Sequence, residues 1–167
     1  MPSKRRSSVF SMRGHHVAVR VPDFEASKRW FVTKLDFRVH KVWTFKNRKH
    51  AYLTPASDET LHIEILGGAP MTRPETRPAR SYVDLKDSLR NPGYHHFCLT
   101  VDDIDKTIAE LQRRGVAIVE KPFDIKAIQR RLAFFADPWG NLMELAQVIP
   151  RKTQPKLSKQ GGMRRSG

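Results

Sequence analysis

Residues 14 to 23, GHHVAVRVPD, alternate apolar and polar side chains behind a pair of histidines, and residues 94 to 103, YHHFCLTVDD, do the same. Alternation with period two marks a half-buried strand, so strands are expected over residues 15 to 21 and 95 to 101. An aspartate follows each, Asp23 and Asp103, and an aspartate carboxylate can accept from the free amide groups of a helix's first turn. The first helix is expected to run to about Lys34 with Phe24, Phe31 and Leu35 on one stripe. The second carries Ile104, Ile108 and Leu111 and stops at Gly115. Asp36 stands where the second half has that glycine, a position aspartate fills because it tolerates left-handed geometry. Three strands follow each helix: 37 to 45, 49 to 54 and 60 to 66, then 116 to 120, 131 to 136 and 141 to 148, the last two joined by the tight-turn sequence DPWG. The order is βαβββ, twice.

The two copies are in register. Without gaps, His16 pairs with His96 (96 − 16 = 80), and the same offset pairs Glu64 in TLHIEIL with Glu144 in NLMELAQ (144 − 64 = 80). Successive strand residues face opposite sides, so His16, Ala18 and Arg20 oppose Val17, Val19 and Val21, while His96, Cys98 and Thr100 oppose Phe97, Leu99 and Val101. Glu64 and Glu144 likewise oppose Ile63, Ile65, Met143 and Leu145. The apolar faces must cover the helices, which leaves both histidines and both glutamates on the other face. If that face curls into a cleft, all four converge. Two imidazoles and two carboxylates form a mixed nitrogen and oxygen donor set suited to one divalent ion of Zn, Ni, Mn, Fe or Co. His62 shares that parity and is expected to face solvent. His15 and His95 are expected at the strand mouths in a structural role, and Trp139 at the final turn.

Charge changes the picture less than its size suggests. Of the formal net charge of +14, ten positive charges lie in residues 1 to 13 and 150 to 167, which hold no acids, leaving 14 − 10 = +4 on the body. Both segments are too polar to pack and are expected to be disordered tails; no specific nucleic-acid reader is indicated. The acid-free head weakly suggests a transit peptide, and initiation at Met12 would remove most of it. No apolar run is long enough to span a bilayer. The single Cys98 excludes an internal disulfide and fits a reducing, cytoplasmic setting. The domain plan is thus a tail to residue 13, a module over 14 to 66, a Pro-rich connector over 67 to 93, a second module over 94 to 149, and a tail from 150.

HHVAVRVPD with its following helix, LHIEIL, HHFCLTVDDID and FADPWGNLMEL together resemble the vicinal oxygen chelate superfamily, which includes lactoylglutathione lyase (glyoxalase I), methylmalonyl-CoA epimerase, extradiol dioxygenases and antibiotic-resistance proteins. The resemblance covers about His15 to Val148. It implies an α+β fold of two tandem βαβββ modules forming a curved, open barrel-like sheet around a metal-binding cleft. The family's ligand positions fall on His16, Glu64, His96 and Glu144. Modules of this superfamily often pair across subunits, which implies a homodimer.

A glutamate at position 64 is similar to the lyase pattern, and Arg20 matches an arginine that holds a glutathione carboxylate in those lyases. Gly68 departs from it, standing where they carry an asparagine, so a thiol adduct is not fixed as substrate. The expectation is a metal-dependent lyase or isomerase moving a proton beside a carbonyl or hydroxyl of a small substrate. Glu144 and its counterpart Glu64 would carry the proton, with Arg20 and Thr100 binding substrate. The alternatives are an Fe(II) extradiol-type dioxygenase using His16, His96 and Glu144, and a non-catalytic small-molecule or drug-binding protein.

Overall fold

The structure is a computed structural model that describes residues 14 to 68, 84 to 89 and 94 to 150. The basic tails lie outside the described residues apart from Pro150, as does most of the connector.

Both aspartate caps form. Asp23 Oδ1 accepts from the Ala26 amide at 2.9 Å and starts α1 (Phe24–Leu35). Asp103 Oδ1 accepts from the Lys106 amide at 3.0 Å and starts α3 (Ile104–Arg113). Asp36 ends α1 with a positive φ of 54°, and Gly115 follows α3 at φ 75°, the two residue types that enter this region at least cost.

Around α1 stand β1 (His16–Arg20), β2 (Arg38–Phe45), β3 (Arg48–Thr54) and β4 (His62–Gly67); around α3 stand β5 (His96–Thr100), β6 (Ala117–Ile125), β7 (Arg130–Ala136) and β8 (Leu142–Val148). Each group forms a four-stranded sheet, ordered β1-β4-β3-β2 and β5-β8-β7-β6, with one parallel pair and two antiparallel pairs. These are tandem βαβββ modules with open, unclosed sheets.

The apolar parity faces the helices as the alternation requires. Val19, Val21, Ala51, Leu53, Ile63 and Ile65 are buried with Phe24, Trp30 and Phe31 of α1, and Met143, Leu145, Ala133 and Phe135 with Ile104, Ile108 and Leu111 of α3. Each large apolar side chain so buried contributes roughly 1.5–3 kcal/mol. Gly67 is dictated by packing, since a Cβ there would lie 2.9 Å from the Phe24 Cβ.

Two elements differ from the sequence reading. β6 continues to Ile125 rather than ending near residue 120, with register shifts between Ile118 and Glu120 and between Glu120 and Phe123. Pro122 suggests a break, yet an edge strand with bulges tolerates a missing amide donor. Within the connector a short helix, α2 (Leu85–Ser88), forms.

The helix C-termini join the modules. Arg114 Nη1 donates to the Asp36 carboxylate at 2.7 Å and to the Lys34 carbonyl at 3.2 Å, while its Nε donates to Glu110 at 2.7 Å. Lys34 Nζ returns a hydrogen bond to the Arg114 carbonyl. Lys34 and Arg114 are equivalents under the offset of 80, so a pseudo-twofold axis runs between them. Cations here also meet the negative ends of both helix dipoles. Strong hydrogen bonds from Arg113 and Arg114 hold the Glu110 carboxyl down to about 2, and its salt bridges push the Arg114 guanidinium up.

Candidate metal centre

In β1 and β4 the parallel register sets His16 opposite His62, with Glu64 two residues on and on the same face. That diagonal lets His16 Nε2 reach Glu64 Oε2 at 3.0 Å. The other imidazole nitrogen, Nδ1, lies 2.8 Å from His15 Nδ1. In β5 and β8 the arrangement repeats: His96 Nε2 lies 2.7 Å from Glu144 Oε2, and His96 Nδ1 lies 2.7 Å from His95 Nδ1. Both carboxylates are nearly buried, Glu64 at 8% and Glu144 at 9% exposure. An aromatic ring backs each histidine, Tyr52 at 5.4 Å from His16 and Phe134 at 5.3 Å from His96. These two rings stand opposite Glu64 and Glu144 in the ladders.

A chain of hydrogen bonds fixes the tautomer in the second module. The buried Ser88 hydroxyl donates to the Leu85 carbonyl and lies 2.8 Å from His95 Nε2, so it accepts from that nitrogen. Burial holds the His95 pKa below its ordinary value, with the neighbouring His96 adding to the effect, which favours a neutral ring. A neutral His95 protonated at Nε2 accepts at Nδ1 from His96 Nδ1–H. The lone pair of His96 Nε2 is then turned toward the Glu144 carboxylate. Two acceptors at 2.7 Å require a positive centre between or beside them, either a proton or a metal ion. Imidazole lone pairs and carboxylate oxygens are the donor chemistry of divalent Zn, Ni, Mn, Fe or Co, so the residues fit such an ion.

The surroundings of the two pairs differ. Beside Glu64 lies His50, whose Nδ1 is 2.8 Å from Glu64 Oε1. His62 stacks on His15, with ring centroids 5.5 Å apart, and meets His40 edge-on at 5.0 Å. It is half-buried among these rings, so only part of it meets solvent. Burial first, then the nearby His40, His15 and His16, holds its pKa down. Beside Glu144 lies Cys98, whose thiol is pushed up to about 12 by burial, the Glu144 charge and a hydrogen bond to Glu144.

The four donors do not meet at one point within a chain. Among the described residues no group of three or more His, Cys, Asp or Glu side chains is arranged to hold a metal ion. Strand pairing joins each histidine to the glutamate of its own module, and among the described residues no ladder links the two sheets. The result is two separate histidine–glutamate pairs. Arg20 is exposed on the His16 face and makes no ion pair among the described residues. Thr100, its equivalent at the offset of 80, instead lines a cavity of about 580 Å³ at the seam between modules, along with Cys98, Leu99, Thr107 and Glu110. None of the four donors lines that cavity.

His15, His95, His50 and Ser88 are the participants that sequence reasoning assigned no such role. The duplicated HH pair was visible and pointed to the first two; nothing in the sequence marked the others.

The sequence matches the Glyoxalase/Bleomycin resistance protein/Dioxygenase superfamily over residues 13–145. The uncharacterized protein YwkD of Bacillus subtilis (strain 168) is 28% identical over 126 residues, covering 74% of this chain and 88% of that protein. A lactoylglutathione lyase of Schizosaccharomyces pombe is 23% identical over 154 residues, covering 86% of this chain and 49% of the lyase, so the chain spans about half the lyase's length. Among solved structures, TnmS3, an antibiotic binding protein from Streptomyces sp. CB03234, superposes with a TM-score of 0.61 at 22% identity, over 83% of this chain and 98% of that one.

Proposed function

This chain belongs to the glyoxalase/bleomycin resistance protein/dioxygenase superfamily, and from that premise we propose that it is a divalent-metal-dependent lyase or isomerase that moves a proton on a small oxygenated substrate. The observation that carries the reading is the repeated half-site, an oriented histidine touching a nearly buried glutamate in each module. The ion would be held by His16 and Glu64 with His96 and Glu144. Because the two pairs stand apart in one chain, the complete set is assembled between two copies, the first-module pair of one facing the second-module pair of the other in a homodimer. A divalent ion in such a set supplies Lewis acidity to neighbouring substrate oxygens.

The chain's own residues do the rest. Glu144, with Glu64 as its counterpart, takes a proton beside the substrate carbonyl or hydroxyl and returns it, a role that carboxylates fill when held next to the reacting carbon. Arg20, exposed and without an acidic partner among the described residues, suits an anionic substrate group. The relative named as a lactoylglutathione lyase makes a thiol hemiacetal the first substrate class to try. Elemental analysis of protein purified without added metal tests the proposal: about one divalent ion per chain is expected, and it should fall sharply in H16A and H96A. Metal-free wild-type protein that also fails to take up Co²⁺ contradicts it.

The likeness in fold to an antibiotic binding protein supports a second reading, non-catalytic small-molecule binding. Aromatic ligand binding that is unchanged by H16A and E144Q would favour it.

A further inference from the structure

The two half-sites are alike in their ligands and unlike in what holds the carboxylates. In the ladder, His50 stands opposite Leu66 beside Glu64, and the matching position of the second module, opposite Ala146 beside Glu144, is Leu132. His50 is 8% exposed, and its Nδ1 lies 2.8 Å from Glu64 Oε1. A carboxylate oxygen accepts, so Nδ1 carries the hydrogen. Trp43 stacks on the ring at 5.1 Å and 19°, and Phe45 closes its edge at 6.5 Å. The remaining nitrogen, Nε2, is buried without a partner among the described residues. A buried nitrogen left without a partner carries a free-energy cost, and a leucine stands at the matching place in the other sheet. With one oxygen of Glu64 tied to His50 and the other facing His16 Nε2 at 3.0 Å, the carboxylate is held at both ends. Among the described residues Glu144 has the His96 contact and the Cys98 thiol, a weak donor.

We infer that His50 is a positioning residue that holds the Glu64 carboxylate toward the proposed metal position, a restraint with no counterpart at Glu144 among the described residues. This rests on the proposed metal-dependent reading and deepens it, because the pseudo-symmetry alone makes the two glutamates equivalent. His50 acts through Glu64.

The test uses the full chain and two variants. H50L copies the second module; H50N keeps an N–H where Nδ1 stood. In metal-free wild-type protein, ¹⁵N NMR should show His50 protonated at Nδ1, with a slowly exchanging proton whose signal shifts in E64Q. Co²⁺ affinity, measured by chelator competition, should fall about 10- to 100-fold in H50L and recover for the most part in H50N. A general loss of fold would lower both variants alike. Unchanged Co²⁺ affinity in H50L, no recovery in H50N, or a His50 ring protonated at Nε2 instead would each overturn the inference. Wild-type protein that binds no Co²⁺ would contradict the proposed function, and the proton signal would still decide whether His50 holds Glu64.

Discussion

The first module surrounds its glutamate with histidines and tyrosine; the second surrounds its own with a thiol, a phenylalanine and aliphatic chains. Both use the same ladder, the same parallel pairing and the same histidine doublet. The differences sit at matched positions: Ala18 against Cys98, Arg20 against Thr100, His62 against Leu142, His50 against Leu132 and Tyr52 against Phe134. In both sheets an aromatic of the edge strand lies over this face, Phe123 of β6 on Phe134 at 6.3 Å and Trp43 of β2 on Tyr52 at 4.6 Å and on His50 at 5.1 Å. The repeat thus keeps the histidine–glutamate pair and varies its neighbours, and the proposed division of labour rests on that variation.

The division predicts unequal effects from equal substitutions. On the proposed function, E144Q should lower turnover of a thiol hemiacetal, the first substrate class to try, by about 10²- to 10⁴-fold while leaving metal content near wild type. E64Q should instead lose metal. Equal metal loss in both variants would make the carboxylates interchangeable and erase the contrast. A fully active E64Q would remove Glu64 from essential chemistry.

A smaller effect concerns what holds the modules together. R114A removes hydrogen bonds that reach from α3 to Asp36 and the end of α1, and should destabilise the chain by about 1–3 kcal/mol in urea unfolding. If the two modules then unfold in separate transitions, Arg114 is what couples them; an unchanged midpoint would show that the shared apolar core suffices.

The acid response of the same junction follows from Glu110. Its pKa in the folded chain lies at about 2, below the ordinary 4.5. A depressed carboxyl contributes stability above its unfolded pKa and loses it as pH falls through the folded value. Thermal stability should therefore decline between pH 4.5 and about 2, and E110Q should flatten that decline. Identical slopes would assign the acid response to other carboxyls. The smallest effect is expected for C98A, which gives the second module the alanine of the first; stability should change by about 0.5 kcal/mol or less, and metal content should stay unchanged.

The fold was largely legible because its signals are local. Period-two alternation, the Asp23 and Asp103 caps and the offset of 80 each depend on a few neighbouring residues, and the parallel register of β1 with β4 follows from burying Val19 beside Ile65. The end of β6 was not legible, because the strand runs on through two register shifts that local alternation does not encode. The pairing of His16 with Glu64 and of His96 with Glu144 was readable as an in-register pattern. The separation of the two pairs was not, since alternation fixes which face a side chain takes and says nothing about where two sheets come to rest. His50 and Ser88 escaped for a related reason: their partners lie across strands or on the connector helix, at distances that no periodicity encodes.

Assembly of the complete donor set from two chains can be tested by mixing. H16A and H96A chains, each unable to bind Co²⁺ alone, should on co-expression form hybrid dimers in which one of the two sites is intact, restoring about one quarter of the wild-type cobalt content. Co-expressed chains that bind no more cobalt than either variant alone, while still forming dimers, would contradict a site shared between copies.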